Sequence, residues 1–271
     1  MSLRSKVSRA LTPGGIALLA LSCASAKPYA DQAGRAAVDA LLPVAEENKL
    51  GRQLSSELEK EVQLIEQGLI VDYVRAMGGK VAAAAKDKPK GITLRFKVIR
   101  DDETVNAFAM PGGHIYVYTG LLKQLDDEAE LMAVLAHEVA HVTHRHVAQN
   151  LIAMYGIEAV AQMALGEKPD VIGQLIKGIA ANGFLLKYSR DHERESDLAG
   201  IGYEIKAGYD PQGFVTFFQK LDSGMPALLA IISTHPAPQE RIENARRVIR
   251  AAGAVPSERG EAAYRDIRAQ L

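Results

Sequence analysis

Glu128-Ala-Glu-Leu-Met-Ala-Val-Leu-Ala-His137-Glu138-Val-Ala-His141 is the stretch from which the rest of the chain is read. Its apolar residues recur at helical spacing and it holds neither Gly nor Pro, so it reads as one helix. Positions i and i+4 of a helix lie about one turn apart on one face. His137 and His141 can therefore grip one metal ion between them. Glu138 lies next to the first of them, where it can reach water held at that ion and take its proton. The run is so rich in Ala, Leu and Val that the helix reads as buried. Buried His and Glu are costly unless they are paired or bound to metal.

This is the HExxH spacing of zinc hydrolases. A catalytic zinc takes a third protein ligand and keeps one position open. A metzincin would carry a third His six residues after His141; that position is Val147, which excludes the class. His144 and His146 follow on the same helix, but one straight helix does not wrap three ligands around a tetrahedral ion. They read as exposed helix-end residues, where imidazolium suits the C-terminal dipole. His192 lies in a strongly charged stretch and reads as a surface residue.

A carboxylate is the better third ligand. The segment Tyr188-Ser-Arg-Asp-His-Glu193-Arg-Glu195-Ser-Asp197-Leu-Ala-Gly offers two, Glu193 and Glu195. Glu193 has Asp197 four residues on, so both project from one helical face. Glu193 can bind the metal while Asp197 accepts a hydrogen bond from the outer nitrogen of a ligand His, fixing its tautomer. Glu195 has Ala199 at the equivalent place and lies roughly 200° around the helix from Glu193. Glu193 is favoured. Alone, the segment would read as a charged helix surface with local ion pairs; an upstream HExxH short of a ligand reverses that.

Four ordered blocks carry a family resemblance: Asn106 to Leu122, Asp127 to His146, Ser189 to Gly202, and Ser233-Thr-His-Pro-Ala-Pro-Gln-Glu-Arg-Ile242. HExxH followed by a helix bearing Glu-x-x-x-Asp is the gluzincin pattern. Within it the chain resembles the HtpX and CAAX-prenyl-protease family of zinc metallopeptidases, especially its BepA-like periplasmic and lipoprotein members. The blocks span most of residues 92–250. The resemblance implies that His137, His141 and Glu193 bind one Zn2+, that Glu138 is the base, and that Asp197 stands behind a ligand. Met110 departs from a common Leu and puts nothing in doubt.

The 271 residues are 48% hydrophobic and 24% charged, which suits one globular domain with a real core behind a targeting segment. Net charge is −1, so nothing suggests a nucleic-acid partner. The N-terminus reads as an export signal. Arg4, Lys6 and Arg9 precede a short apolar core, Ile16 to Ser22, too short to span a bilayer comfortably. Leu19-Ala-Leu-Ser-Cys23 resembles a bacterial lipobox, and Ala24-Ser-Ala26 an ordinary processing site. The lone Cys favours the lipobox. The expected organisation is a signal at 1–26, an N-terminal segment at 27–45 and a zinc metallopeptidase domain at 46–271.

Asp31 to Leu42 and Glu46 to Met77 read as helices, with Gly78-Gly79 as the stop signal of the second and Val81 to Ala85 able to add a further helical turn or more. Ile92 to Ile99 alternates as a half-exposed strand. A strand pair at Ala107–Met110 and His114–Tyr118 is joined by the turn residues Pro111-Gly112-Gly113. An edge strand beside the active helix can pair with extended peptide. His114 reads as an ordinary strand residue. Leu151–Leu165 and Val171–Phe184 read as helices, either core or a cover over the site. His235 sits in a loop before the helix beginning at Pro238. Near the metal it can stabilise an oxyanion, or fill the open position and silence the enzyme. Arg241 adds charge at the same place.

The expectation is an α+β fold, a mainly helical zincin-like metallopeptidase domain with a small sheet edging the cleft. The expected activity is that of a zinc endopeptidase acting on misfolded or misassembled envelope proteins, with Glu138, His235 and Arg241 as catalytic groups. The alternative is an envelope chaperone or assembly factor with a largely self-inhibited zinc site. The expected partners are unfolded or extended polypeptides and outer-membrane assembly machinery. No nucleic acid is expected, and the membrane is reached through a lipid anchor on Cys23. The expected location is the bacterial cell envelope, periplasmic or lipid-anchored.

Overall fold

Residues 36, 38–182, 187–222, 229–235 and 238–271 are described by a computed structural model. The export signal, Cys23 and half of the first expected helix lie outside the described residues; residues 38–41 are helical. The elements that follow are α1 (Val44–Glu61), β1 (Leu64–Ile65), α2 (Leu69–Ala84), β2 (Arg95–Ile99), β3 (Ala107–Met110) and β4 (His114–Tyr118). Then come α3 (Thr119–Gln124), α4 (Glu128–Thr143), α5 (His146–Tyr155), α6 (Ile157–Ala164), α7 (Pro169–Asn182) and α8 (Arg190–Ala207). The last are α9 (Gln212–Asp222), α10 (Leu229–Thr234), α11 (Pro238–Ala252) and α12 (Glu261–Arg268). The fold is α+β and mostly helical, with one four-stranded mixed sheet among the described residues.

The HExxH segment forms α4, and every residue of it is buried. The Asp127 carboxylate caps its first turn, accepting from the Glu130 amide at 2.9 Å. Leu131, Met132, Leu135 and Val139 have no exposed surface. Burying such side chains contributes about 1.5–3 kcal/mol each. Around α4 pack α8, α9, α2 and β3. The most extensive packing is with α8, and Gly200 permits it. A Cβ there would lie 2.8 Å from the Phe214 ring and 3.2 Å from the His137 amide nitrogen.

The sheet order is β1-β2-β4-β3. β2 and β4 run parallel, with Arg95 opposite His114 and Ile99 opposite Tyr118. β3 and β4 form the expected antiparallel pair across the Pro111–Gly113 turn. β3 is an edge strand, and it lies against α4.

Three helix expectations are corrected. The long helix from Glu46 breaks after Glu61, because Leu64 and Ile65 pair with β2 and the Gln63 carbonyl accepts from Arg100 at 2.7 Å. Gly78-Gly79 does not end α2, which continues to Ala84; Gly78 lies flush against the Phe96 ring. The expected helix Leu151–Leu165 is two helices, α5 and α6, divided at Gly156, whose φ of 79° few side chains adopt. No helix among the described residues is long and apolar enough to cross a membrane.

Candidate metal centre and active site

α4 and α8 bring His137, His141 and Glu193 together, and His235 joins them from the end of α10. One ligand atom from each lies within 4.8 Å of the others, and all four residues are buried. His137 Nε2 and His141 Nε2 are 3.0 Å apart. Glu193 Oε1 is 3.4 Å from His141 Nε2 and 2.9 Å from His235 Nδ1. His235 Nδ1 is also 3.1 Å from His137 Nε2.

The donor set fits a metal. Burial drives the His141 imidazole well below its usual pKa, so its ring is neutral and keeps a lone pair. Burial works to raise Glu193, but His235, Arg241 and His137 outweigh it and hold the carboxyl well below the usual range. Two inward imidazole nitrogens and an ionised carboxylate are the ligand types of a zinc hydrolase.

Glu138 follows His137 on α4. Its Oε1 is 3.6 Å from His235 Nε2, and its Oε2 has no hydrogen-bond partner among the described residues. Burial pushes its pKa up; His235 and His137 oppose the shift, as does the Ala109 amide of β3. A carboxyl held above its ordinary pKa is suited to taking and returning a proton near neutrality.

Asp197, one turn beyond Glu193, receives the outer nitrogen of His137, Nδ1, at 3.0 Å. Arg241 of α11 lies on both acidic groups. Its guanidinium is 2.6 Å from Glu193 Oε2 and 2.6 Å from Asp197 Oδ1, and it stacks over Phe218 at 4.2 Å. Burial works to lower the His235 pKa, and the Glu193 carboxylate reverses that into a net rise.

His144 and His146 are not exposed helix-end residues: both are buried, His146 completely. The helix ends before them. Arg145 has a left-handed φ of 58° and is buried against Glu47, with 2.7 Å from its Nε to Oε2. That turn folds His146 back under His141. His192, expected on the surface, is half-buried and stacks on His146 with centroids 4.2 Å apart. Tyr188 stacks on His141 at 3.7 Å, a contact no spacing rule anticipates. His114 lies buried on β4, away from the cluster, and burial lowers its pKa to about 4.

Beside Glu138 and His235 opens a small apolar pocket. Val134 and Ala133 of α4, Phe214, Phe218 and Leu221 of α9, and Ile231 of α10 line it.

The sequence profile described as peptidase family M48 matches residues 71–249, a span that holds every group of this centre. The chain belongs to that family. It is 30% identical over 223 residues to the beta-barrel assembly-enhancing protease of Escherichia coli, covering 76% of this chain and 44% of that protein. It is 37% identical over 148 residues to the mitochondrial metalloendopeptidase OMA1 of Schizosaccharomyces pombe, covering 54% of this chain and 43% of that one. It is 33% identical over 174 residues to the Escherichia coli metalloprotease YcaL, covering 62% of this chain and 66% of that one. The chain therefore spans less than half the length of the assembly-enhancing protease it matches. Family membership implies a metal cofactor, and the four-residue cluster is where the described residues offer a place for one.

Proposed function

We propose that the chain is a zinc-dependent endopeptidase that binds one Zn2+ through His137, His141 and Glu193. The observation that carries this reading is the convergence of two inward imidazole nitrogens and an ionised carboxylate beside the buried Glu138, whose Oε2 has no hydrogen-bond partner among the described residues. When bound, the ion supplies Lewis-acid chemistry to water and to the scissile carbonyl. Glu138 takes the proton from the attacking water and returns it to the leaving amine. Asp197 holds His137 in the tautomer that leaves Nε2 free. Arg241 clamps Glu193 and Asp197 and adds positive charge next to the reaction centre. An extended polypeptide lies along the β3 edge, with an apolar side chain in the pocket lined by Phe214 and Phe218.

The test is Glu138→Gln. The variant keeps about one zinc, because the base is not a ligand, and loses hydrolysis of an unfolded protein such as casein. Substantial remaining turnover would overturn the mechanism.

A second reading is supported by His235. Its Nδ1 lies 2.9 Å from Glu193 Oε1 and 3.1 Å from His137 Nε2, near enough to compete with water for an ion that those groups would hold. In this reading the chain is a latent enzyme, or an assembly factor whose hydrolysis is held in check. His235→Ala then raises basal proteolysis with little change in zinc content. If His235 serves instead to stabilise the oxyanion, activity falls about 100-fold. The polypeptide substrates belong to the bacterial envelope, and outer-membrane assembly machinery is the expected partner. A lipid on Cys23 is the expected anchor, and Cys23→Ser then releases the protein from the membrane fraction.

A further inference from the structure

The two ligand histidines are supported differently from behind. His137 gives its outer nitrogen directly to the Asp197 carboxylate, at 3.0 Å. His141 gives its outer nitrogen to another imidazole: its Nδ1 is 3.0 Å from Nδ1 of His146. The other nitrogen of His146 lies 3.1 Å from Oε2 of Glu195. Glu195 Oε1 in turn lies 3.3 Å from His144 Nε2.

We infer that His146, held by Glu195, is a positioning residue that sets the tautomer of His141 and so decides whether that residue can bind metal. The inference rests on the zinc-site reading above. A neutral imidazole carries one proton, on one nitrogen. To offer Nε2 to the ion, His141 must carry its proton on Nδ1 and donate it. The acceptor is His146 Nδ1, which must then hold a lone pair. The proton of His146 therefore belongs on Nε2, and it needs an acceptor. A carboxylate accepts and does not donate, so Glu195 enforces this arrangement. The Ser196 hydroxyl, 3.2 Å from His146 Nδ1, shares that single lone pair as a second donor at longer range than His141 Nδ1. With the opposite tautomer, His146 would donate into His141 and move the latter's proton onto the atom meant for metal.

The fold is built to bring this pair together. Five residues along a continuous helix would put position 146 about 140° around from position 141. The left-handed turn at Arg145 ends α4 and redirects the chain. Arg145 is held there by Glu47, Asp39 and the Leu42 carbonyl. From α8, Glu193 serves the metal cluster while Glu195, two residues on, serves His146.

The experiment measures zinc affinity by competition with a chromophoric chelator, with circular dichroism of each zinc-free variant to check the fold. His146→Leu removes the acceptor and is expected to weaken zinc binding about 10–100-fold, as for other groups behind a metal-bound His. His146→Asn keeps an acceptor oxygen where Nδ1 stood and is expected to restore most of that loss. Glu195→Gln, able to donate to His146 Nε2, is expected to weaken binding about 10-fold. If His146→Leu, well folded, binds zinc as tightly as the unaltered chain while His137→Ala does not bind, the inference fails and the site reading stands. If His146→Asn binds as weakly as His146→Leu, the residue acts by packing and the inference fails. If the unaltered chain itself takes up no stoichiometric zinc, the site reading fails first.

Discussion

Helix α8 carries buried carboxylates at both ends, and the two ends behave in opposite ways. Glu193 and Asp197 near its start are 1% and 3% exposed; Glu204 near its end is 0% exposed. The desolvation cost is therefore comparable. At the start, burial works to raise both carboxyls, but Arg241 and the histidines overcome it and both pKa values fall. At the end, burial pushes Glu204 well above the usual range, and Asp210 adds to the shift; Arg259 opposes it without reversing it. Neither Glu204 oxygen has a hydrogen-bond partner among the described residues. One helix thus holds ionised acids at one end and a neutral acid at the other, and the facing charges decide which. Burial alone does not mark a site; burial with converging cations and imidazoles does.

The sharpest way to break this comparison is at the ionised end. Glu193→Ala is expected to lower bound zinc from about one per chain to nearly none, by metal analysis after dialysis. Glu195→Ala is expected to retain the ion at saturating zinc, with weakened affinity through His146. The reverse ranking would mean that the metal sits elsewhere on α8. Next in size is Arg241→Met measured without metal. It strands two buried carboxylates that the guanidinium had paired, which costs about 3–5 kcal/mol in comparable buried pairs. Chemical denaturation of the zinc-free variant reads this directly, and a loss under about 1 kcal/mol would show that His235 and His137 suffice to hold the charge.

Much of this was legible in the sequence, for local reasons. HExxH fixes its own geometry through the helical repeat, and Glu193 with Asp197 does the same four residues apart. The β3–β4 hairpin was marked by alternation and its Pro-Gly-Gly turn. What the sequence hid depends on contacts between distant segments. The break after Glu61 arises because β1 pairs with β2, which propensity within α1 does not register. His144 and His146 read as a frayed, exposed helix end, because nothing local shows that Glu47 would hold Arg145 in a left-handed turn. Glu195 looked like a surface charge because its partner lies 49 positions away. A clue was available: three His within six residues, 141 to 146, are more than a charged helix end needs.

A smaller effect is expected where α8 touches α4. Gly200→Val would drive a branched side chain into Phe214 and the His137 backbone. Overpacking of this kind costs about 1–3 kcal/mol and would shift Glu193 relative to His137. The sign to look for is a lowered thermal midpoint together with weaker zinc binding. A stable variant with unchanged affinity would show that the two helices can part without disturbing the cluster.

The smallest effect is at the neutral end, and it has the opposite sign. Glu204 sits between α8, the Ala129 carbonyl of α4 and Gly213 of α9, with Asp210, Asp127 and Arg259 as its charged neighbours. Its folded pKa lies above the unfolded value, so the folded state binds its proton more tightly. Below the unfolded pKa both states are protonated and the group costs nothing extra. As pH rises above that value the unfolded chain releases the proton while the folded chain keeps it. Stability then falls by about 1.4 kcal/mol per pH unit until the folded pKa is reached. Glu204→Met removes the titration with little change in length and no polar atom to satisfy. It is expected to match the parent near pH 4 and to be more stable by about 1–2 kcal/mol at pH 6, by urea denaturation at both pH values. A variant that is less stable at pH 6 would mean that Glu204 is ionised and paired after all. The two ends of α8 would then differ in partners but not in charge.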